Sequence, residues 1–93
     1  MPVKFSFDDS PDTAVITCCH VLEGVSILRV THDAEDGMWQ FLCGCTHEAD
    51  DARVISLAEA LSLDASLRKI ACMPCGCVAE RKNAKSRWVV KKR

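Results

Sequence analysis

Seven cysteines and three histidines occupy a chain of 93 residues, and most of them fall into three short clusters. The clusters are Cys18-Cys19-His20, Cys43-Gly44-Cys45-Thr46-His47 and Cys72-Met73-Pro74-Cys75-Gly76-Cys77. Thiolate and imidazole groups are preferred zinc ligands, and a structural zinc site contributes folding free energy directly. Unliganded thiols instead behave as small hydrophobic side chains. The clusters therefore decide whether the fold is built around a metal or around apolar packing.

The segment 72–77 carries the strongest metal signal. Cys72 and Cys75 have the two-residue spacing of a zinc knuckle, and Gly76 follows them directly. A tetrahedral site needs two further ligands. The full candidate set is Cys43, Cys45, His47, Cys72, Cys75 and Cys77. Because recognised zinc modules pair two knuckles and only one is well formed, we predict isolated thiols and no cofactor, with a small zinc-stabilised domain as the alternative.

Catalytic signatures are lacking elsewhere in the sequence. Cys72 and Cys75 also have the spacing of a dithiol redox pair, but they follow a predicted helix C-terminus, where the helix dipole disfavours a thiolate. None of the three histidines has a nucleophile signature beside it, and no phosphate-binding loop or paired catalytic carboxylates occur. A non-enzymatic protein is therefore expected.

The first residues lack the basic stretch and apolar run of a secretory leader, and no segment approaches the roughly 18 apolar residues of a membrane span. We therefore expect a cytoplasmic protein with reduced thiols and no membrane association. The net charge of −1 hides an uneven distribution. All acidic residues except Glu80 lie within residues 1–66, whereas most basic residues lie within 67–93. Such a separation affects which partners are attracted.

β-Branched residues predict a strand over residues 14–19, and a segment that is apolar on both faces predicts one over 25–32. Alternating apolar residues predict a strand over 38–43, and further strands are expected over 53–55 and, at the edges, over 78–81 and 87–90. Ser56 and Glu59 form a capping box that predicts a helix start, and Asp64 can cap a second short helix. This order predicts one α+β domain over residues 1–90, a small antiparallel sheet with two short helices packed on one face. Residues 91–93 are expected to form a basic tail.

Several segments resemble one family of small bacterial proteins. They are Val15-Ile16-Thr17-Cys18 and residues 20–24, 32–37, 39–44 and 51–57. The chain is similar over most of residues 14–88 to a former domain of unknown function, now grouped with the immunity-protein-thirty-three-like domains of polymorphic toxin systems. The resemblance implies an α+β domain that binds and neutralises a toxin, and it brings no catalytic residues. The chain departs from the family pattern at Cys19, Cys45, Cys75 and Cys77, which argues against a shared metal site.

The leading hypothesis is a binding protein whose acidic residues steer a basic protein partner, such as a toxin domain. The candidate partner-binding residues are Asp33, Glu35 and Asp36 at a hairpin tip, Glu48, Asp50 and Asp51 in a loop, and Trp39 as an anchor if it is exposed. A third hypothesis is nucleic-acid binding by the basic C-terminal segment around Trp88. It is not favoured, because the acidic remainder of the domain would repel phosphate.

Overall fold

The computed structural model describes Phe7 and residues 9–44 and 49–92. Within these residues one sheet contains six strands: β1 (Ala14–Cys18), β2 (Arg29–His32), β3 (Trp39–Leu42), β4 (Ala52–Ser56), β5 (Cys77–Glu80) and β6 (Val89–Lys92). The helices are α1 (Cys19–Leu22), α2 (Leu57–Leu63) and two 3₁₀ helices, Ala49–Asp51 and Ala65–Ile70. The predicted α+β class is confirmed.

The strands lie in the order β4-β1-β3-β2-β5-β6, so β4 and β6 are the two edges. The β1–β3 pair is parallel, with Thr17 opposite Phe41, and the other four pairs are antiparallel. The sheet is therefore mixed, whereas antiparallel pairing was expected throughout. Parallel pairing brings the C-terminal ends of β1 and β3 together. We call this the His20 end, and the opposite end, where β2 finishes, the His32 end.

The helices begin where the capping residues predict. Ser56 Oγ accepts a hydrogen bond from the Glu59 backbone N–H at 3.1 Å, which confirms Ser56 as the N-cap, and the Glu59 carboxylate accepts from the Ser56 hydroxyl at 3.4 Å. Asp64 Oδ1 accepts one from the Ser66 N–H at 2.9 Å and caps the 3₁₀ helix Ala65–Ile70. In the described part of the chain, no helix combines the length and the apolar character needed to cross a membrane.

The core lies between the sheet and the helices. Val15, Val30 and Phe41 are fully buried on neighbouring strands, and the helices bury Leu57 and Leu67 against the same cluster. The Thr17 hydroxyl, also buried, donates to the Phe41 carbonyl at 2.6 Å. Apolar packing between strands and helices therefore stabilises this domain, because these side chains leave water on folding.

Trp39 belongs to this core. Its side chain is 2% exposed, and its Nε1 donates to Asp9 Oδ2 at 3.1 Å. The ring packs edge-on against Phe7, with centroids 5.0 Å apart, and is parallel to Phe41. The condition set for Trp39 as an anchor, an exposed side chain, is therefore not met, because its alternating position in β3 directs it to the buried face.

Two strands, β2 and β6, differ from the prediction by more than one residue. β2 begins at Arg29 rather than at residue 25. β6 extends to Lys92, where it lies opposite Cys77, so the expected tail at 91–93 begins inside a strand. Lysine is well tolerated in an edge strand, because its long stem carries the charge into solvent.

Arg81, the residue directly after β5, is buried among hydrogen-bond acceptors. Its Nε and Nη2 donate to the Ile27 carbonyl at 3.0 and 2.8 Å, and Nη2 also bonds Asp64 Oδ2 at 2.5 Å. The guanidinium lies over the Trp88 ring, 4.2 Å from its centroid. Arg81 therefore stabilises the fold and is not available to the basic surface that the nucleic-acid hypothesis requires, whereas the half-buried Trp88 lines a cavity with Lys85 and Arg87.

Candidate functional site

Two clusters of chemically active side chains lie at opposite ends of the sheet. At the His20 end, Cys18 closes β1, His20 lies in the first turn of α1, and Cys43 follows β3 directly. Both cysteines are 1% exposed, and Cys43 Sγ is 3.7 Å from His20 Nδ1. The possible ligand atoms of all three residues lie within 4.8 Å of one another. This set of two thiols and one imidazole has the composition of a zinc site.

A second group at the same end shares His20. The Cys19 thiol donates to Asp51 Oδ1 at 3.6 Å, and these two residues with His20 also bring their ligand atoms within 4.8 Å. Partial burial raises the pKa of the Cys19 thiol, and the Asp51 carboxylate that accepts its hydrogen raises it further. The thiol form of Cys19 is thus stabilised when the acidic group beside it is charged.

The predicted zinc set does not come together. Cys77 begins β5 opposite His32, so segment 72–77 lies at the His32 end, whereas Cys43 lies at the other end of the sheet. Cys45 and His47 lie outside the described residues. The candidate zinc site that combined Cys43 with Cys72, Cys75 and Cys77 was therefore wrong, because the length of β3 separates Cys43 from the other three residues. The structure instead joins Cys43 to Cys18 and His20, which were not among the ligand candidates.

The His32 end holds a cysteine–histidine pair. His32 Nδ1 donates to the Met73 carbonyl at 2.9 Å, and its Nε2 lies 3.5 Å from the Sγ of Cys75. The imidazole stacks on the buried Trp39 ring at a centroid distance of 3.8 Å and an angle of 15°. Cys72 and Cys75 are both exposed. The histidine ring is held from its face and from one nitrogen, while its other nitrogen faces a thiol.

A cleft of about 510 Å³ opens at the His32 end. His32, Cys72 and Cys75 line it together with the carboxylates of Asp9 and Asp36. Other acidic residues lie at the same end: Asp12 precedes Thr13 and Ala14, which line the cleft, while Asp33 and Glu35, in the turn after β2, line a second cavity with Asp36. The five aspartates and glutamates named here, Asp9, Asp12, Asp33, Glu35 and Asp36, are called the acidic end.

The predicted acidic residues divide between the two ends. Asp33, Glu35 and Asp36 belong to the acidic end, whereas Asp50 and Asp51 lie just before β4, at the His20 end. Glu48 lies outside the described residues. Charge at the His20 end is mixed, because Arg53 is exposed there and its Nη1 donates to the Asp50 carbonyl at 2.6 Å. The two predicted groups therefore do not form one surface.

Comparisons with known proteins do not place the chain in a family. No family model, no curated protein and no solved structure matches it. The resemblance to immunity domains stays a prediction made from the residues. Function is therefore argued from the chemistry of the two ends.

Proposed function

We propose that this is a non-enzymatic binding protein that uses its acidic end to bind a basic surface on another protein. The observation that carries the proposal is the concentration of carboxylates around the cleft at the His32 end. Following the resemblance, the partner is a toxin domain whose action is blocked when the protein covers it. Occlusion of this kind needs no reaction, which agrees with a sequence that contains no recognised catalytic signature.

Electrostatics support the acidic end over the His20 end as the contact surface. Asp12, Glu35 and Asp36 are exposed. Lys92 on β6 lies at the same end by the sheet register, and Arg68 and Lys69 lie in the 3₁₀ helix that leads to Cys72. At the His20 end, Arg29 and Arg53 offset the carboxylates. Clustered charge of one sign around a cleft raises the association rate of an oppositely charged partner. A basic protein is therefore attracted to one end of this domain.

Charge reversal at the acidic end is expected to slow association. The variant Asp12→Lys with Glu35→Lys changes two exposed side chains, and we expect an association rate about tenfold lower at low salt, with a flatter salt dependence. The dissociation rate should change less, because steering acts before contact. Affinity purification from the native host followed by mass spectrometry supplies the partner, and surface plasmon resonance at several salt concentrations measures the rates.

A matched control places the same charge change at the His20 end. Glu23 and Asp50 are also exposed, so Glu23→Lys with Asp50→Lys alters the net charge equally. This control should retain most of the association rate. Equal slowing in both variants would show that net charge alone matters, and unchanged rates in the first variant would remove the acidic end from the binding surface. Capture of nucleic acid instead of protein would overturn the proposal.

A second candidate function is a zinc-stabilised domain, and the cluster of Cys18, His20 and Cys43 favours it. Zinc bound by a thiolate at about 2.3 Å and an imidazole at about 2.0 Å in a tetrahedron separates sulfur and nitrogen by about 3.5 Å. The separation between Cys43 Sγ and His20 Nδ1 is 3.7 Å. Both thiols would lose protons on binding, so affinity would rise with pH. Cys19 and Asp51 group with His20 separately from Cys18 and Cys43, so this cluster supplies three of the four ligands of a tetrahedral site.

Zinc addition is expected to stabilise the protein through this cluster. With free zinc at 100 times the dissociation constant, the free energy of unfolding should rise by about 2.7 kcal/mol, and chelation should reverse the rise. His20→Gln and Cys43→Ser should abolish the effect. Cys72→Ser, at the opposite end, is the matched control and should leave it intact. Metal analysis with thermal unfolding tests this; stabilisation that survives loss of His20 and Cys43, or none at all, would exclude the site.

A further inference from the structure

We infer that Cys75 is a reactive thiol, activated by His32, that exchanges with positively charged disulfides in the cleft at the His32 end. The inference stands on the geometry of the Cys75–His32 pair and does not depend on the proposed binding function. It concerns a stoichiometric covalent reaction of one side chain. Three observations carry it: the tautomer of His32, the fixed orientation of its ring, and the charge of the cleft.

The Met73 carbonyl sets the tautomer of His32. A carbonyl oxygen only accepts hydrogen bonds, so the Nδ1 that lies 2.9 Å from it carries the hydrogen in the neutral ring. The lone pair is then on Nε2, which faces the Cys75 Sγ at 3.5 Å. The thiol therefore donates to a nitrogen that can take its proton. A nucleophile, a base and a group that orients the base form the arrangement used by activated cysteines.

The ring and the thiol are held in place from several directions. His32 stacks on Trp39, which is itself buried and bonded to Asp9. The loop that carries Cys75 is fixed where the Gly76 N–H donates to the His32 carbonyl at 2.6 Å. Gly76 has a φ of +85°, a conformation that residues with a Cβ rarely adopt. The relative positions of Nε2 and Sγ thus depend on the backbone and on the core as well as on side-chain rotamers.

Cys75 and His32 together supply and return the proton that the disulfide exchange requires. The Cys75 proton passes to His32 Nε2, and the resulting thiolate attacks one sulfur of a disulfide R–S–S–R. A bond forms between Cys75 Sγ and that sulfur, the S–S bond breaks, and the leaving thiolate takes the proton from Nε2 and departs as R–SH. The disulfide is the oxidant, and Cys75 ends as a mixed disulfide. The Met73 carbonyl stabilises the transient imidazolium through Nδ1.

The cleft selects a cationic disulfide. The carboxylates of Asp9 and Asp36 line it, and Asp33 and Glu35 lie in the adjoining turn. They repel an anionic disulfide and concentrate a cationic one beside Cys75. We therefore expect cystamine, which carries two ammonium groups, to react faster than oxidised glutathione, once each rate is divided by the rate of N-acetylcysteine with the same disulfide. Added salt should reduce that advantage.

Cys72 provides a matched control inside the same cleft. Both thiols are exposed and both line the cleft, but only Cys75 has its Sγ beside His32. The Cys72→Ser protein gives the exchange rate of Cys75 in the absence of the Cys72 thiol. The Cys75→Ser protein gives the exchange rate of Cys72. Peptide mapping by mass spectrometry separates both from the remaining cysteines. With cystamine, we expect Cys75 to react about tenfold faster than Cys72 or more.

The variant His32→Gln removes the base. It should bring the rate at Cys75 down to that at Cys72, while the rate at Cys72 stays unchanged. Equal rates at the two cysteines in proteins that retain His32 would overturn the inference, and so would a Cys75 rate unaffected by His32→Gln in a folded protein. If His32→Gln does not fold, the inference is tested by the ratio of the reaction rates of Cys75 and Cys72 in proteins that retain His32. Faster reaction with oxidised glutathione than with cystamine would refute the charge selection.

Discussion

Replacement of Arg81 by methionine is expected to lower the free energy of unfolding by about 3 kcal/mol, because it removes the buried cation of an ion pair and leaves its partly buried partner uncompensated. The Asp64 carboxylate would lose its cation, and the Ile27 carbonyl would lose two donors. Equilibrium urea unfolding measures the loss. Arg81→Lys keeps the charge but cannot reproduce the fork of donors, so we expect an intermediate loss.

The same ion pair makes stability depend on pH. Partial burial alone would raise the pKa of Asp64, but hydrogen bonds from Ser66 and Arg81 and the Arg81 charge outweigh it and lower the pKa below its usual value. A lowered carboxyl pKa contributes stability above the unfolded value of about 3.9, and this is lost as pH falls through the folded value. Arg81→Met should reduce this acid-side loss. If Arg81→Met lowered the free energy of unfolding by less than about 1 kcal/mol and left its decline at acidic pH unchanged, this account would be contradicted.

Replacement of Trp39 by alanine is expected to cost about 3–5 kcal/mol, since it empties the volume of a buried aromatic ring. The ring contacts Phe7, Phe41 and His32, so its removal leaves a cavity that its neighbours cannot fill completely. The measurement is again chemical unfolding, together with the rate of thiol exchange at Cys75. Loss of the stacking partner should free the His32 ring and reduce that rate in the folded fraction.

The variant Trp39→Phe separates packing from hydrogen bonding. Phenylalanine keeps an aromatic ring for the stack but loses the N–H that donates to Asp9. We expect a loss smaller than that of Trp39→Ala, with a retained Cys75 reaction rate. An unchanged stability in Trp39→Ala would mean that this side chain faces solvent, as an exposed anchor would, and would conflict with its 2% exposure.

Local features of the fold were predictable from the sequence. Ser56 and Glu59 mark the start of α2 because a capping box satisfies amides that the helix leaves unpaired. β-Branched residues mark β1, and alternating apolar residues mark β3, because side chains of a strand alternate between faces. The limits of β2 were harder to predict. Residues 25–28 are as apolar as the strand, but only long-range pairing decides where a strand begins.

The candidate sites were less predictable, because they depend on the order of the strands. The parallel pairing of β1 with β3 brings Cys18 and His20 to Cys43, and no local pattern specifies that pairing. The zinc-knuckle spacing of Cys72 and Cys75 suggested a metal, whereas the residue that faces Cys75 is His32, 43 positions earlier. The cluster Cys18-Cys19-His20 was the one visible signal for the His20 end. In the antiparallel sheet that the sequence predicts, nothing identifies Cys43 as the residue that meets this cluster.

The two outer strands of the sheet both carry cations. β4 presents the exposed Arg53, and β6 presents the exposed Lys91 and Lys92. Another chain that added a strand to either side would have to strip water from these charged groups and set like charges against each other in a symmetric pairing. These charged side chains thus oppose edge-to-edge pairing of copies at both sides of the sheet, against the exposed Val54, Val89 and Val90 on the same two strands.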